Sequence, residues 1–175
     1  MEIHNDTVIT HPRELVYRTY RDRLPELVEM LDNIESMQEL ERREEGDITH
    51  LLNEWKAEGE IPGIAQRWIT PDMLRWKDYA SWHPQTWTVN WRFEMAFMKD
   101  RVTVGGTNRF VELGPRSTRL ELRGELKIDT AGLPGLPRIL SKRAGPVVER
   151  FVLALVQPNL VKTAHALQRF LDEGR

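Results

Sequence analysis

The 175-residue sequence predicts an α+β fold on three observations. Several long stretches alternate apolar and polar residues with a period of two and are joined by short turns, as antiparallel strands with one dry face require. A proline-led segment of helical spacing follows the first of them. The chain then closes on a long apolar stripe at helical spacing. With 40% apolar and 30% charged residues, the composition suits one globular domain over residues 1–175.

Glu2 to Thr10 places Ile3, Asn5, Thr7 and Ile9 on one side and ends at His11-Pro12, where proline fits the first turn of a helix. Leu15, Val16, Tyr20, Leu24, Leu27, Val28 and Leu31 then recur at helical spacing, and Pro25 divides the pattern into two short helices near Arg23-Leu24-Pro25. Ile34 to Glu45 is rich in glutamate, with Ile34, Met37 and Leu40 as its apolar positions. A helical extension and an edge strand both fit it, and the strand is the reading adopted.

Leu51, Asn53, Trp55 and Ala57 oppose His50, Leu52, Glu54 and Lys56 as in a strand; Leu74, Trp76, Asp78, Ala80 and Trp82 oppose Arg75, Lys77, Tyr79 and Ser81 in the same way. The clearest alternation is Trp87, Val89, Trp91, Phe93, Met95 and Phe97. Thr118, Leu120, Leu122, Gly124, Leu126 and Ile128 form another dry face. Between them, Val102 to Leu113 reads as a strand with a bulge expected at Gly105-Gly106. Short turns such as Leu113-Gly114-Pro115-Arg116 point to a meander. From about Arg138 to Glu173 the pattern is helical, with Leu153, Val156, Leu160, Ala164, Leu167 and Leu171 in one stripe and a kink expected at Pro158.

The net charge of -2 denies the molecule the positive field that non-specific nucleic-acid binding needs, so no nucleic-acid partner is expected. No cysteine is present, which removes disulfides, thiolate metal sites and cysteine nucleophiles. The five histidines form no metal-ligand spacing, and no phosphate-cradling or dinucleotide glycine pattern occurs. Neither metal nor cofactor is expected. The opening residues lack a basic, apolar leader, and the longest apolar run, Phe151 to Val156, is too short to span a bilayer. A soluble, cytoplasmic protein is the expectation.

Strand, two short helices, a run of antiparallel strands and one long C-terminal helix is the order of the helix-grip fold, and the chain resembles the START-like superfamily. Val8-Ile9-Thr10-His11-Pro12-Arg13-Glu14-Leu15-Val16-Tyr17 is similar to that family's strand followed by a proline-led helix. Phe110 to Leu120 is similar to its hairpin between the last two long strands. The resemblance implies a curved antiparallel β-sheet wrapped around the C-terminal helix, enclosing an apolar cavity. It also implies binding or transport of a hydrophobic or amphipathic small molecule, or the activity of a polyketide aromatase/cyclase. A third class is a co-chaperone-like interaction module with a filled core.

Such a concavity is either plugged by large aromatics or lined by them for a flat or greasy ligand. Six tryptophans lie between positions 55 and 91. Trp55, Trp76 and Trp91 are the candidate lining, with Phe93 and Met95 on the same dry strand face and Leu120 and Leu122 on the last strand; Trp68 and Trp82 fit loop positions. Phe151, Leu155, Asn159 and Thr163 face the groove from the helix. Asn53 and Asp78 interrupt dry faces, where burying a polar group without a partner costs roughly 2–7 kcal/mol. Each can orient a ligand, or be satisfied locally. An enclosed Asp78 has its pKa raised by desolvation and suits a general base, with His165 as a second candidate. Arg109 turns inward if the glycine pair shifts the register, and is otherwise solvated.

Two apolar loops, Glu60 to Ile64 and Ala131 to Pro137, place Ile61, Ile64, Leu133 and Leu136 where they gate or permanently cap the cavity. Residues 26–60 hold twelve acidic against three basic side chains, and residues 138–175 hold seven basic against three acidic. That polarity marks either a solvated face or a partner surface. The oligomeric state is open.

Overall fold

A computed structural model describes residues 1–58, 70, 74–96, 101–129, 150, 153 and 160–174. The first strand, β1 (Glu2–Ile9), leads through Pro12 into α1 (Arg13–Asp22) and then α2 (Leu24–Val28). The break between the helices falls where Pro25 occupies the first turn of α2. Six strands follow: β2 (Ile34–Glu45), β3 (Ile48–Ala57), β4 (Arg75–His83), β5 (Thr88–Met95), β6 (Val102–Gly114) and β7 (Ser117–Ile128). Residues 160–172 form the described part of the C-terminal helix, α3. Among the described residues, no helix is long and apolar enough to cross a membrane.

All seven strands form one antiparallel sheet in the order β1-β7-β6-β5-β4-β3-β2. β2 to β7 make the expected meander, and β1 returns to pair with β7, so the first and last of the described strands meet. The expected alternation governs burial: Thr49, Leu51, Asn53, Trp55 and Ala57 face inward from β3, and Trp76, Asp78, Ala80 and Trp82 from β4. β2 is the charged edge strand, exposed at nearly every position after Ile34, with Arg42 paired to Glu39 and Asp22. Charge on an edge strand discourages pairing with another chain.

The α3 stripe, with Ala164, Leu167, Phe170 and Leu171 buried, joins the sheet and the first two helices in one core. Burial of each of its larger side chains is worth roughly 1.5–3 kcal/mol. Polar contacts set its position. The Thr10 N–H donates to Gln168 Oε1 at 2.8 Å, Gln168 Nε2 donates to Thr10 Oγ1 at 2.9 Å, and Asp172 lies 2.9 Å from His11 Nε2. These contacts tie α3 to the junction of β1 and α1, while the Arg23 guanidinium covers the Phe170 ring.

Three expectations are corrected. β6 shows no bulge at Gly105-Gly106, where pairing with β5 and β7 runs in regular register; its irregularity lies between Glu112 and Gly114. Trp82 belongs to β4, not to a loop. Trp87 precedes β5 in a tight turn at φ 55, a left-handed conformation uncommon for a bulky side chain. Its ring packs edge-on against Tyr17 and beneath the Arg13 guanidinium, contacts that offset the strain. The Pro158 kink, the two apolar loops and Trp68 lie outside the described residues.

Candidate functional site

The register of β3 against β4 arranges the concave face as a ladder of cross-strand pairs: Trp55 with Trp76, Asn53 with Asp78, Leu51 with Ala80 and Thr49 with Trp82. β5 and β6 extend its rungs. Asp78 pairs with Phe93, Ala80 with Trp91, and Trp82 with Val89, which in turn pairs with Asn108. The Trp55 and Trp76 rings stack at 5.8 Å and 9°, and Phe93 lies 6.2 Å from Trp76 and 4.9 Å from Trp91.

Trp91 has room because two glycines lie beside it on the next strands, Gly106 and then Gly124. A Cβ at Gly106 would sit 2.7 Å from Trp91 Cζ2, and one at Gly124 would sit 2.9 Å from Cη2. Bare backbone thus forms the bed on which the indole rests, and its N–H donates to Asn108 Oδ1 at 2.9 Å. Of the two glycines that suggested a bulge, Gly106 is explained by this close approach.

A cavity of about 50 Å³ lies between these rings and α3. Trp55, Trp76, Trp82, Val89, Trp91, Phe93 and Asn108 line it from the sheet, Tyr20 from α1, and Leu160 and Thr163 from α3. Its volume is a few times the roughly 10–15 Å³ that one water needs and well below the ~150 Å³ of a cavity that accepts benzene. The described walls therefore suit a small group.

Asp78 is the charged residue of this face. It is 7% exposed, and burial pushes its carboxyl up to about 7, partly opposed by Asn53 and Trp55. Asn53 Nδ2 donates to Asp78 Oδ2 over a long 3.5 Å, and the Trp55 indole N–H acts on the carboxyl without reaching hydrogen-bond geometry. Asp78 Oδ1, Asn53 Oδ1 and the indole nitrogens of Trp55, Trp76 and Trp82 are buried with no hydrogen-bond partner. Tyr20 is held well above the usual phenol range, chiefly by burial and then by the Asp78 charge, while Asn108 acts the other way. Among the described residues, no group of three or more histidine, aspartate or glutamate side chains is placed to hold a metal ion.

The structure brings Trp55, Trp76, Trp91, Phe93 and Thr163 to the cavity, with Asn53 and Asp78 on the same strand face beside it. Met95, Leu120 and Leu122 are buried in the core but do not line the cavity. Arg109 is exposed on the opposite face, because without a bulge the alternation of β6 turns Asn108 inward instead. His165 is exposed, since it falls between the buried positions Ala164 and Ala166 on the side of α3 away from the core. Phe151, Leu155 and Asn159 lie outside the described residues. Sequence reasoning missed Tyr20, Trp82, Val89, Asn108 and Leu160 as cavity residues. Strand parity carried a signal for Trp82 and Val89, and the helical stripes contained Tyr20 and Leu160.

No protein-family model and no curated protein matches the sequence. Among solved structures, the Zhui aromatase/cyclase of Streptomyces sp. R1128 is 18% identical, with 98% of this chain and 93% of that one covered at a TM-score of 0.69. Norcoclaurine synthase of Thalictrum flavum is 15% identical, with 99% of this chain and 87% of that one covered at a TM-score of 0.62. A START superfamily protein of Mycobacterium smegmatis is 15% identical, with 99% of each chain covered at a TM-score of 0.56. These likenesses extend over nearly the whole chain at low identity, and together with the strand order and the C-terminal helix they establish that it has the START-like helix-grip fold.

Proposed function

We propose that the chain, acting as one domain, binds a hydrophobic or amphipathic small molecule between the concave face of the sheet and the C-terminal helix. One observation carries this reading: the wall is built of tryptophan and phenylalanine rings, yet unsatisfied polar atoms of Asn53, Asp78 and three indoles are buried on the same face. A core evolved only for packing gains nothing from orphaned polar groups, whereas a ligand site uses a few of them to orient its guest. Native and denatured mass spectra of gently purified protein test it. A small molecule released on unfolding is the expected result. An apo mass, with no stabilisation by fatty acids, sterols or aromatic polyketides, would move the assignment to a filled-core interaction module.

A second reading, cyclase-like catalysis, is favoured by the position of Asp78. Burial holds its carboxyl near neutrality, where a general acid or base is most effective. An aromatase/cyclase and norcoclaurine synthase share the fold, and fold likeness alone transfers no activity. Turnover of an aromatic polyketide with a pH–rate inflection near 7 that disappears in Asp78→Asn supports this reading, and an unchanged rate in the variant removes it.

A further inference from the structure

The inward face of β3 and β4 carries two buried acceptor oxygens without a hydrogen-bond partner. Asn53 and Asp78 are paired directly across the strands and are 1% and 7% exposed. Their contact through Asn53 Nδ2 and Asp78 Oδ2 leaves Oδ1 of each without a donor. A buried acceptor left unmade costs about 1–3 kcal/mol, and more when it is charged. Two such atoms on one cross-strand pair call for a group rich in donors.

The surroundings specify its charge. The next rung of the ladder is the stacked Trp55–Trp76 pair, and Phe93, the β5 partner of Asp78, adds a third ring. The basic residues of these strands, Lys56, Arg75, Lys77 and Arg92, alternate onto the opposite face, and among the described residues no cation acts on the Asp78 carboxyl. A carboxyl without a counter-ion, beside aromatic faces, matches a compact cation with several N–H donors. A neutral hydroxyl brings one donor and no charge. A carboxylate or phosphate would be repelled.

We propose that the Asn53–Asp78 pair holds the protonated amine of a small primary-amine ligand, with the neighbouring rings covering the carbon that bears it. This rests on reading the cavity as a ligand site and specifies the head group taken there. The pair does not itself line the cavity of about 50 Å³, but Trp55, Trp76 and Phe93, its neighbours on the strands, do.

NMR titration of the indole and side-chain amide signals with methylamine and methanol at pH 8 tests it, because the two probes share a size the cavity admits and differ in charge and donor number. In the unaltered protein, methylamine is expected to bind about tenfold or more tightly than methanol, as a charge-assisted hydrogen bond implies. Asp78→Asn is expected to abolish most of that preference by weakening the amine alone. Equal affinities in the unaltered protein, a measurement that needs no variant, overturn the assignment while leaving the cavity a ligand site. A preference that survives in Asp78→Asn also overturns it. Binding of neither probe also overturns it, while the ligand-binding reading stands or falls on the mass spectra.

Discussion

Asp78→Asn isolates the cost of burying one ionisable group on the concave face. In the unfolded chain the carboxyl ionises near its ordinary 3.8, whereas in the folded chain burial pushes it up to about 7. Across that interval the folded state retains a proton that the unfolded state has released. The stability linked to this group is therefore intact below pH 3.8 and is lost as pH rises toward 7, the opposite of a salt-bridged carboxylate. At about 1.4 kcal/mol per pK unit, the loss reaches roughly 4 kcal/mol above neutrality, more than half of it between pH 5 and pH 8. Asparagine has no charge to bury, so the variant lacks this dependence. Urea unfolding of both proteins at several pH values reads the difference in unfolding free energy, in which the other titrating groups cancel and any fixed cost of the amide is a constant offset. The variant is expected to gain about 2–3 kcal/mol on the parent between pH 5 and pH 8. Parallel stability curves would refute the reasoning, because they would mean that Asp78 ionises alike in the folded and unfolded chains.

Gly124→Ala places a Cβ 2.9 Å from Trp91 Cη2 and 3.1 Å from the Gly105 carbonyl oxygen, so the indole must move toward the cavity. Overpacking of this kind costs about 1–3 kcal/mol. A lower thermal midpoint with a shifted tryptophan emission is expected, and an unchanged midpoint would show that the indole does not rest on the glycine. Asn108→Ala removes the acceptor 2.9 Å from the Trp91 indole nitrogen and leaves that N–H buried. A loss of about 1–3 kcal/mol is expected in urea unfolding, and a loss no larger than that of an exposed control such as Asn90→Ala would count against the bond.

The period-two patterns of residues 50–57, 74–82 and 117–128 set which side chains share a face, because successive residues of a strand point to opposite sides whatever lies around them. Trp55, Trp76 and Asp78 could thus be assigned to dry faces, and Pro12 and Pro25 marked helix starts through their fixed φ and missing N–H. The helix-grip order was legible for the same local reasons. The pairing of Asn53 with Asp78 was not, since register depends on how separate strands align, and periodicity within one strand carries no record of its partner. Nor was the role of Gly106, read as part of a bulge, or of Gly124, read as one more dry-face position, as the bed of Trp91; the regular register of β6 then decided that Asn108 faces inward and Arg109 does not. The elements, their dry faces and the candidate residues follow from backbone geometry and side-chain type, and so can be read along the chain. The enclosure of Asp78 beside a small aromatic cavity arises only on folding, because desolvation is a property of everything packed around a group and not of its neighbours in the chain.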